Sequence, residues 1–400
     1  EQVNAASALW LRPKSELKDA DYVDFYKNFA DTDEDPLLWM HTKAEGTIEY
    51  STLFYVPSKA PFDLYHADYK PGVKLYVRRV FITDDEKELL PTYLRFIRGV
   101  IDSEDLPLNV SREILQQNRV MTNIRNASVK KILGELKNLS ESDKEKYGKF
   151  ADEFNRPLKE GLYSDFGNRD ALMELVRFKS TTVEGWTSLA DYKSRMTGDQ
   201  KGIYYITGDS EERLRKSPLL EMYRRQGLEV LICADEIDEL VVPSIGRYGD
   251  FELKAVNRAG AEEDLDPAAK GDEASKEAEK DLAPAVERIK KALGDRVKDV
   301  RLTRRLAESP SCVVVDEADP SLQMQKLMKA LGRGEGFDVK PILEINGSHP
   351  MVARLADSDD EELLTDTAEV LLGQALLVEG ASPPDPADFV KRMNRLIARQ

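Results

Sequence analysis

The 400-residue chain carries 58 Lys and Arg against 74 Asp and Glu, a formal charge of −16, with 41% hydrophobic residues. At about 100–200 residues per domain this length holds two or three domains, each with its own core. The acidic balance argues against a dedicated nucleic-acid binder or a protein held on anionic lipid, since both rely on basic residues to neutralise phosphates. No apolar run is long enough to span a bilayer and the opening lacks a signal-peptide pattern, so a soluble cytoplasmic protein, with neither membrane nor nucleic acid as partner, is the expectation.

Apolar residues at helical spacing (Tyr22, Phe25, Tyr26, Phe29) predict a first helix, and Ile48–Val56 reads as a strand stopped by Pro57. Val73–Ile82 reads as one long strand. A helix is expected from about Ser111, as N-cap, to Leu139, followed by helices over Ser142–Phe154 and Arg169–Phe178. Strand Gly202–Thr207, helix Glu211–Gln226 and strand Glu229–Ala234 form a small parallel unit, with Pro218 starting a second helix inside the helical window.

From Ala261 to Asp281 there are nine acids and a single large apolar residue, Leu265, too little hydrophobic surface for a core, so this stretch reads as a linker entering an exposed helix. A helix carrying Leu282, Val286, Ile289 and Leu293 follows, then strands near Val297–Leu302, Cys312–Val315 and Ile342–Ile345. Between the last two strands, Met324, Leu327, Met328 and Leu331 make an i, i+3, i+4, i+7 stripe within Pro320–Gly332. Two closing helices carry Leu364, Leu371 and Val378 at heptad steps and a face of Phe389, Val390, Met393, Leu396 and Ile397, the last helix opening on Asp385 and Pro386. The expected fold is multi-domain α/β (α+β).

The two cysteines, Cys233 and Cys312, sit in apolar runs and read as buried thiols. His41, His66 and His349 are scattered, with no metal-ligand spacing. The glycine-rich Gly332–Gly336 lacks the Lys and hydroxyl of a phosphate loop, and no nucleophile elbow occurs. One stretch departs from the acidic background: Lys70–Lys131 holds twelve Lys and Arg against eight acids, net +4. At its centre Asn109, Arg112 and Gln116 stand three and four residues apart, a grouping suited to a phosphate oxygen if the helix begins at Ser111, although spacing alone favours a solvated basic helix face, since exposed Arg faces are common.

The run Asp102-Ser103-Glu104-Asp105-Leu106-Pro107-Leu108-Asn109-Val110-Ser111-Arg112-Glu113-Ile114-Leu115-Gln116 resembles the middle-domain signature of the heat shock protein 90 chaperones. Ala60–Asp63, Leu75–Ile82, Tyr204–Thr207 and Val297–Thr303 match the same family, so the resemblance covers essentially the whole chain, and it is closest to the bacterial type. The chain opens on Glu1, near the start of that family's middle domain, and ends without the Met-Glu-Glu-Val-Asp tail of eukaryotic cytosolic members.

The resemblance implies a middle domain over 1–257 (a larger α/β part to about 110, a helical connector to about 190, a small α/β part to 257). A linker and helix start over 258–281 and a C-terminal dimerisation domain over 282–400 would follow. It implies that Arg112 reaches the γ-phosphate of ATP, with Asn109 and Gln116 holding its loop. ATP and magnesium would be bound by the full-length protein's N-terminal domain, with neither expected on this fragment, which alone should be inactive as an ATPase. Met324, Leu327, Met328 and Leu331 become a surface for unfolded or partly folded clients. Leu364, Leu371, Val378, Phe389, Met393 and Leu396 become a homodimer interface. The rival reading is a self-contained phosphate- or nucleotide-handling enzyme built on the Arg112 region, and a blander one is a dimerisation scaffold alone.

Overall fold

The computed structural model describes residues 8–84, 88–107, 118–198, 200–261, 273–333, 339–356 and 358–399. The chain divides into two compact units, Glu1–Arg177 and Phe178–Gln400.

In the first unit, helix α1 (Asp19–Ala30) precedes β1 (Leu38–Ala44), β2 (Tyr50–Val56), β3 (Gly72–Val77), β4 (Val80–Thr83) and β5 (Arg98–Ser103). The five strands form one sheet in the order β1-β2-β5-β3-β4, antiparallel throughout except for the parallel pair β3 and β5. The stretch expected to be a single strand over 73–82 is a hairpin. Arg78 and Arg79 both take positive φ, 50° and 68°, which a two-residue hairpin turn requires of its central residues. No glycine or asparagine announces this turn. It is held instead by Arg78 Nε, which donates to the Glu104 carbonyl at 3.0 Å, and by the Arg79 N–H, which donates to Asp102 Oδ1 at 3.2 Å.

An aromatic cluster of Trp10, Tyr22, Tyr26, Leu53, Tyr55 and Val100 seats α1 on the sheet. Inside it the Trp10 indole N–H donates to buried Asp102 at 2.9 Å. His41 Nε2 lies 2.9 Å from the Trp10 carbonyl, which can only accept, so Nε2 carries the proton and Nδ1 accepts from the Tyr22 hydroxyl at 2.9 Å. Burial lowers the His41 pKa and keeps the ring neutral.

Helices α2 (Arg119–Ser142), α3 (Lys144–Ser164) and α4 (Arg169–Leu175) complete the unit. The first of these starts at Arg119, where the Asn118 side chain accepts the Val120 N–H at 2.8 Å and caps it; the part of the expected helix from Ser111 to Gln117 lies outside the described residues. α3 runs on to Ser164 with Pro157 in its interior, and packs Phe150 and Phe154 around Phe96.

The second unit holds β6 (Lys179–Ser180), α5 (Leu189–Arg195), β7 (Gly202–Thr207), α6 (Glu211–Arg215), α7 (Glu221–Arg225), β8 (Val230–Cys233), α8 (Asp238–Ile245), β9 (Arg247–Tyr248) and β10 (Phe251–Ala255). Their sheet runs β6-β8-β7-β10-β9, with β7 parallel to both β8 and β10, so the strand–helix–strand reading of 202–234 is correct. Ser217 caps a 3₁₀ turn at Pro218–Leu220, which splits the helical window where Pro218 removes a backbone donor.

The remaining elements are α9 (Glu273–Leu293), β11 (Asp299–Leu302), β12 (Ser311–Val314), α10 (Leu322–Ala330), β13 (Ile342–Ile345), α11 (Pro350–Ala356), α12 (Glu361–Val378) and α13 (Pro386–Ala398). β13 lies between β11 and β12, parallel to the first and antiparallel to the second. α9 and α12 cover this sheet through Ile289, Leu293, Leu364, Ala368 and Leu371.

Residues on both sides of the acidic segment pack within this one unit. Tyr204, Ile206 and Ile232 share a core with Cys312, Val314 and Ile342. Buried Arg305 donates to the carbonyls of Val256 and Arg258 at 2.6 and 3.0 Å and pairs with buried Glu344 at 2.8 Å. Glu221 accepts three backbone N–H groups and the hydroxyl of Ser309 from residues 307–309. Burial opposes its ionisation, yet these donors hold its carboxyl below the usual range. Cys233 and Cys312 are buried thiols that are not joined in a disulfide.

Candidate functional site

Asn109, Arg112 and Gln116 lie outside the described residues. The structure does describe what leads into and out of their segment. β5 delivers the chain at Asp102–Ser103, and beyond it the Glu104 N–H donates to the Glu49 carbonyl at 3.0 Å while Asp105 accepts the Glu49 N–H at 2.6 Å. On the far side the Asn118 cap starts α2. Both ends of the basic segment are thus anchored on the same unit, one on a central strand and the other on a capped helix.

The methionine stripe lies on α10. Ser321 caps the helix, its hydroxyl accepting the Met324 N–H at 3.0 Å and donating to Glu239 at 2.6 Å. Gln323 donates to the Glu379 carbonyl at 3.0 Å, Lys326 to the Gly380 carbonyl, and Leu322 packs on the neighbouring core. The helix is therefore docked mainly through its polar side, and its one buried residue is Gln325. Met324, Leu327 and Met328 are half-buried, and Leu331 is 62% exposed. An ordinary core stripe would bury these four, so their partial exposure leaves an adaptable apolar surface on the unit.

The two closing helices divide the candidate interface residues. Leu364 and Leu371 are 1% and 0% exposed in the core of their own chain, which removes them from any surface free to pair. Phe389, Met393 and Leu396 are half-buried, and Phe389 lies so close to Gly373 that a Cβ there would stand 2.4 Å from its ring. Asp366, buried in α12, accepts from Arg392 at 2.9 Å and from Arg395 at 2.6 Å, clamping α13 onto α12. What stays exposed is Leu377 and Val378 at the end of α12, with Val390 and Ile397 seven residues apart on α13. Heptad spacing identified the apolar positions of these helices, but it could not say which of them their own chain covers.

Among the described residues no group of His, Cys, Asp or Glu could hold a metal ion, and no helix is long and apolar enough to cross a membrane.

A family model described as "Hsp90 protein" matches residues 1–400. The Chaperone protein HtpG of Treponema denticola is 63% identical over 99% of this chain and 62% of its own length. That of Treponema pallidum is 59% identical over the whole chain and 63% of its own length, and that of Wolinella succinogenes 53% identical over the whole chain and 64% of its own. The chain belongs to the Hsp90 family, and these similar proteins are of its bacterial HtpG type. It spans less than two thirds of the length of these relatives.

Proposed function

We propose that this chain is the client-binding and dimerising part of an ATP-dependent cytoplasmic chaperone, corresponding to the middle and C-terminal domains of its relatives. The observation that carries the proposal is the family match over residues 1–400, joined to a methionine stripe that its own chain leaves half-exposed. On this reading residues 1–257 are the middle domain, 258–281 the linker and 282–400 the C-terminal domain. Unfolded or partly folded proteins engage Met324, Leu327, Met328 and Leu331, where flexible thioethers adapt to varied apolar segments. A second copy covers the outward residues of the last two helices, Leu377, Val378, Val390 and Ile397, and completes a four-helix bundle.

ATP and magnesium would bind in an N-terminal domain of the full-length protein. Arg112, in the locally basic stretch, would place its guanidinium on the γ-phosphate when the domains close, with Asn109 and Gln116 holding the loop. A guanidinium offers paired donors to phosphate oxygens and stabilises charge that develops during phosphoryl transfer.

Suppression of aggregation of a thermally unfolding enzyme tests the client surface. The Met324→Glu, Met328→Glu variant should lose this activity while its melting temperature stays near that of the parent chain; full activity, or a large loss of stability, defeats the assignment. Light scattering tests the dimer. The chain should be dimeric and a version ending at Asp357 monomeric, whereas a monomer in both at concentrations well above micromolar removes the clamp. Turnover of ATP by the chain alone that Arg112→Ala abolishes would favour a self-contained enzyme.

A further inference from the structure

A cavity of about 400 Å³ in the first unit has no part in the reading above, and it opens beside the loop that carries Tyr65 and His66. Its floor is made by that unit's own core: Leu64, Val73, Leu90 and Ile97 are 1%, 2%, 8% and 1% exposed, and Pro71 and Pro91 extend the lining. The walls are braced without a ligand. The backbone N–H groups of Leu64, His66 and Tyr69 donate to the carbonyls of Pro61, Asp63 and His66 at 3.0, 2.8 and 3.1 Å, closing successive turns on one side. The Tyr69 hydroxyl then donates to the Arg95 carbonyl at 3.2 Å, which ties that loop to the 3₁₀ turn Thr92–Leu94 on the other side. Pockets of about 300–1,000 Å³ that are largely pre-formed and apolar are the usual form of small-molecule sites.

The charges at the mouth are already matched. Arg95 donates through both terminal nitrogens to Glu160, at 2.5 and 2.7 Å, and its Nε donates to the Leu64 carbonyl at 3.0 Å. Arg156 lies over the face of Tyr65, 4.6 Å from the ring centroid, and has a further partner within the chain. A charged ligand would have to displace one of these contacts or enter without a counter-charge, and an ionised group moved from water to apolar surroundings without a partner is strongly disfavoured. An uncharged hydrocarbon meets no such cost. It gains by covering an aliphatic floor whose side chains offer water no hydrogen bonds, the condition under which protein cavities take up neutral apolar molecules.

We infer that this cavity is a binding site for a small uncharged molecule, mainly hydrocarbon, whose apolar body lies on Leu64, Val73, Leu90 and Ile97. The site lies in the unit that ends at Arg177 and does not depend on α10 or on dimerisation.

The test is a methyl NMR titration of the full chain with N-phenyl-1-naphthylamine and, separately, with its anionic counterpart 1-anilinonaphthalene-8-sulfonate. Methyl resonances read this site apart from the methionine stripe. The neutral probe should give saturable shifts at Leu64, Val73, Leu90 and Ile97. The sulfonate should bind at least about tenfold more weakly at the same methyls, the order expected when one charge goes unmatched. Thr92→Trp and Ala67→Trp, both at exposed positions on the rim, should each block the neutral probe without moving the melting temperature. Shifts confined to Met324, Leu327, Met328 and Leu331 would overturn the site, as would undiminished binding of the neutral probe to both tryptophan variants. Sulfonate binding at Leu64, Val73, Leu90 and Ile97 as tight as that of the neutral probe would overturn the preference for an uncharged ligand.

Discussion

Replacing Asp366 by Ala should loosen the last helix from the rest of its unit. The Asp366 side chain is 1% exposed, and its Oδ1 accepts from both Arg392 and Arg395. Removing one partner of a buried ion pair costs about 3–5 kcal/mol, because the remaining charge is left unpaired. Here the cost is smaller. The arginine side chains are 21% and 35% exposed, Arg392 keeps Asp388, and Arg395 keeps Glu362 at 3.6 Å. Allowing for that solvation and those second partners leaves about 2 kcal/mol, roughly a thirtyfold shift in the docking equilibrium of α13.

Hydrogen exchange over residues 386–398, with urea denaturation alongside, reads this directly. Exchange there should quicken far more than in α12, and Asp366→Asn, which keeps the shape and an acceptor, should lose less. Since the proposed dimer face is carried partly on α13, the dissociation constant should rise as well. Asp366→Ala with unchanged exchange in α13 and stability within about 0.5 kcal/mol of the parent, the range of a neutral surface change, would refute the clamp.

Glu379 supplies a pH test. Burial, reinforced by Glu239 and Asp209 and opposed by Lys326, raises its pKa from 4.5 to about 7. Its folded form binds the proton more tightly than the unfolded form, so the stability this gives is complete below pH 4.5 and is lost as pH rises through about 7. Denaturant midpoints measured across that window should therefore fall less steeply for Glu379→Gln than for the parent chain. His41 has the opposite sign: its lowered pKa keeps the folded ring neutral, so its contribution is lost on acidification, and His41→Gln should flatten the acid limb of the unfolding profile. Arg79→Gly should stabilise the first unit by about 0.5–1 kcal/mol in urea, because a non-glycine residue in the left-handed region is strained; an unchanged or lower midpoint would show that the side chain compensates.

Much of the fold could be read locally. Ser217 with Pro218, Asp385 with Pro386, and the β-branched run Gly202–Thr207 each carry their own start signals, and the structure places elements there. Signals made by distant partners could not be read this way. The hairpin at Arg78–Arg79 rests on Glu104 and Asp102, more than twenty residues on, so the pattern over 73–82 ran together as one strand. β1 is not legible in the sequence because its pairing with β2 matters more than its own short, half-exposed alternation.

The candidate sites divide on the same physical ground. The sequence by itself determined the family, through motifs spread along the whole chain, and the amphipathic faces of α10, α12 and α13, because periodicity is a property of the backbone helix. Only the tertiary structure decided which apolar residues are already spent. Leu364 and Leu371 face a sheet their own chain supplies, while Val390, Ile397 and Leu331 stay exposed among the described residues. It also decided that residues before and after the acidic segment share one core, with buried Arg305 donating back to the carbonyls of Val256 and Arg258, a contact that no local composition reveals. Burial is settled by what folds back against a residue, and that information lies elsewhere in the chain.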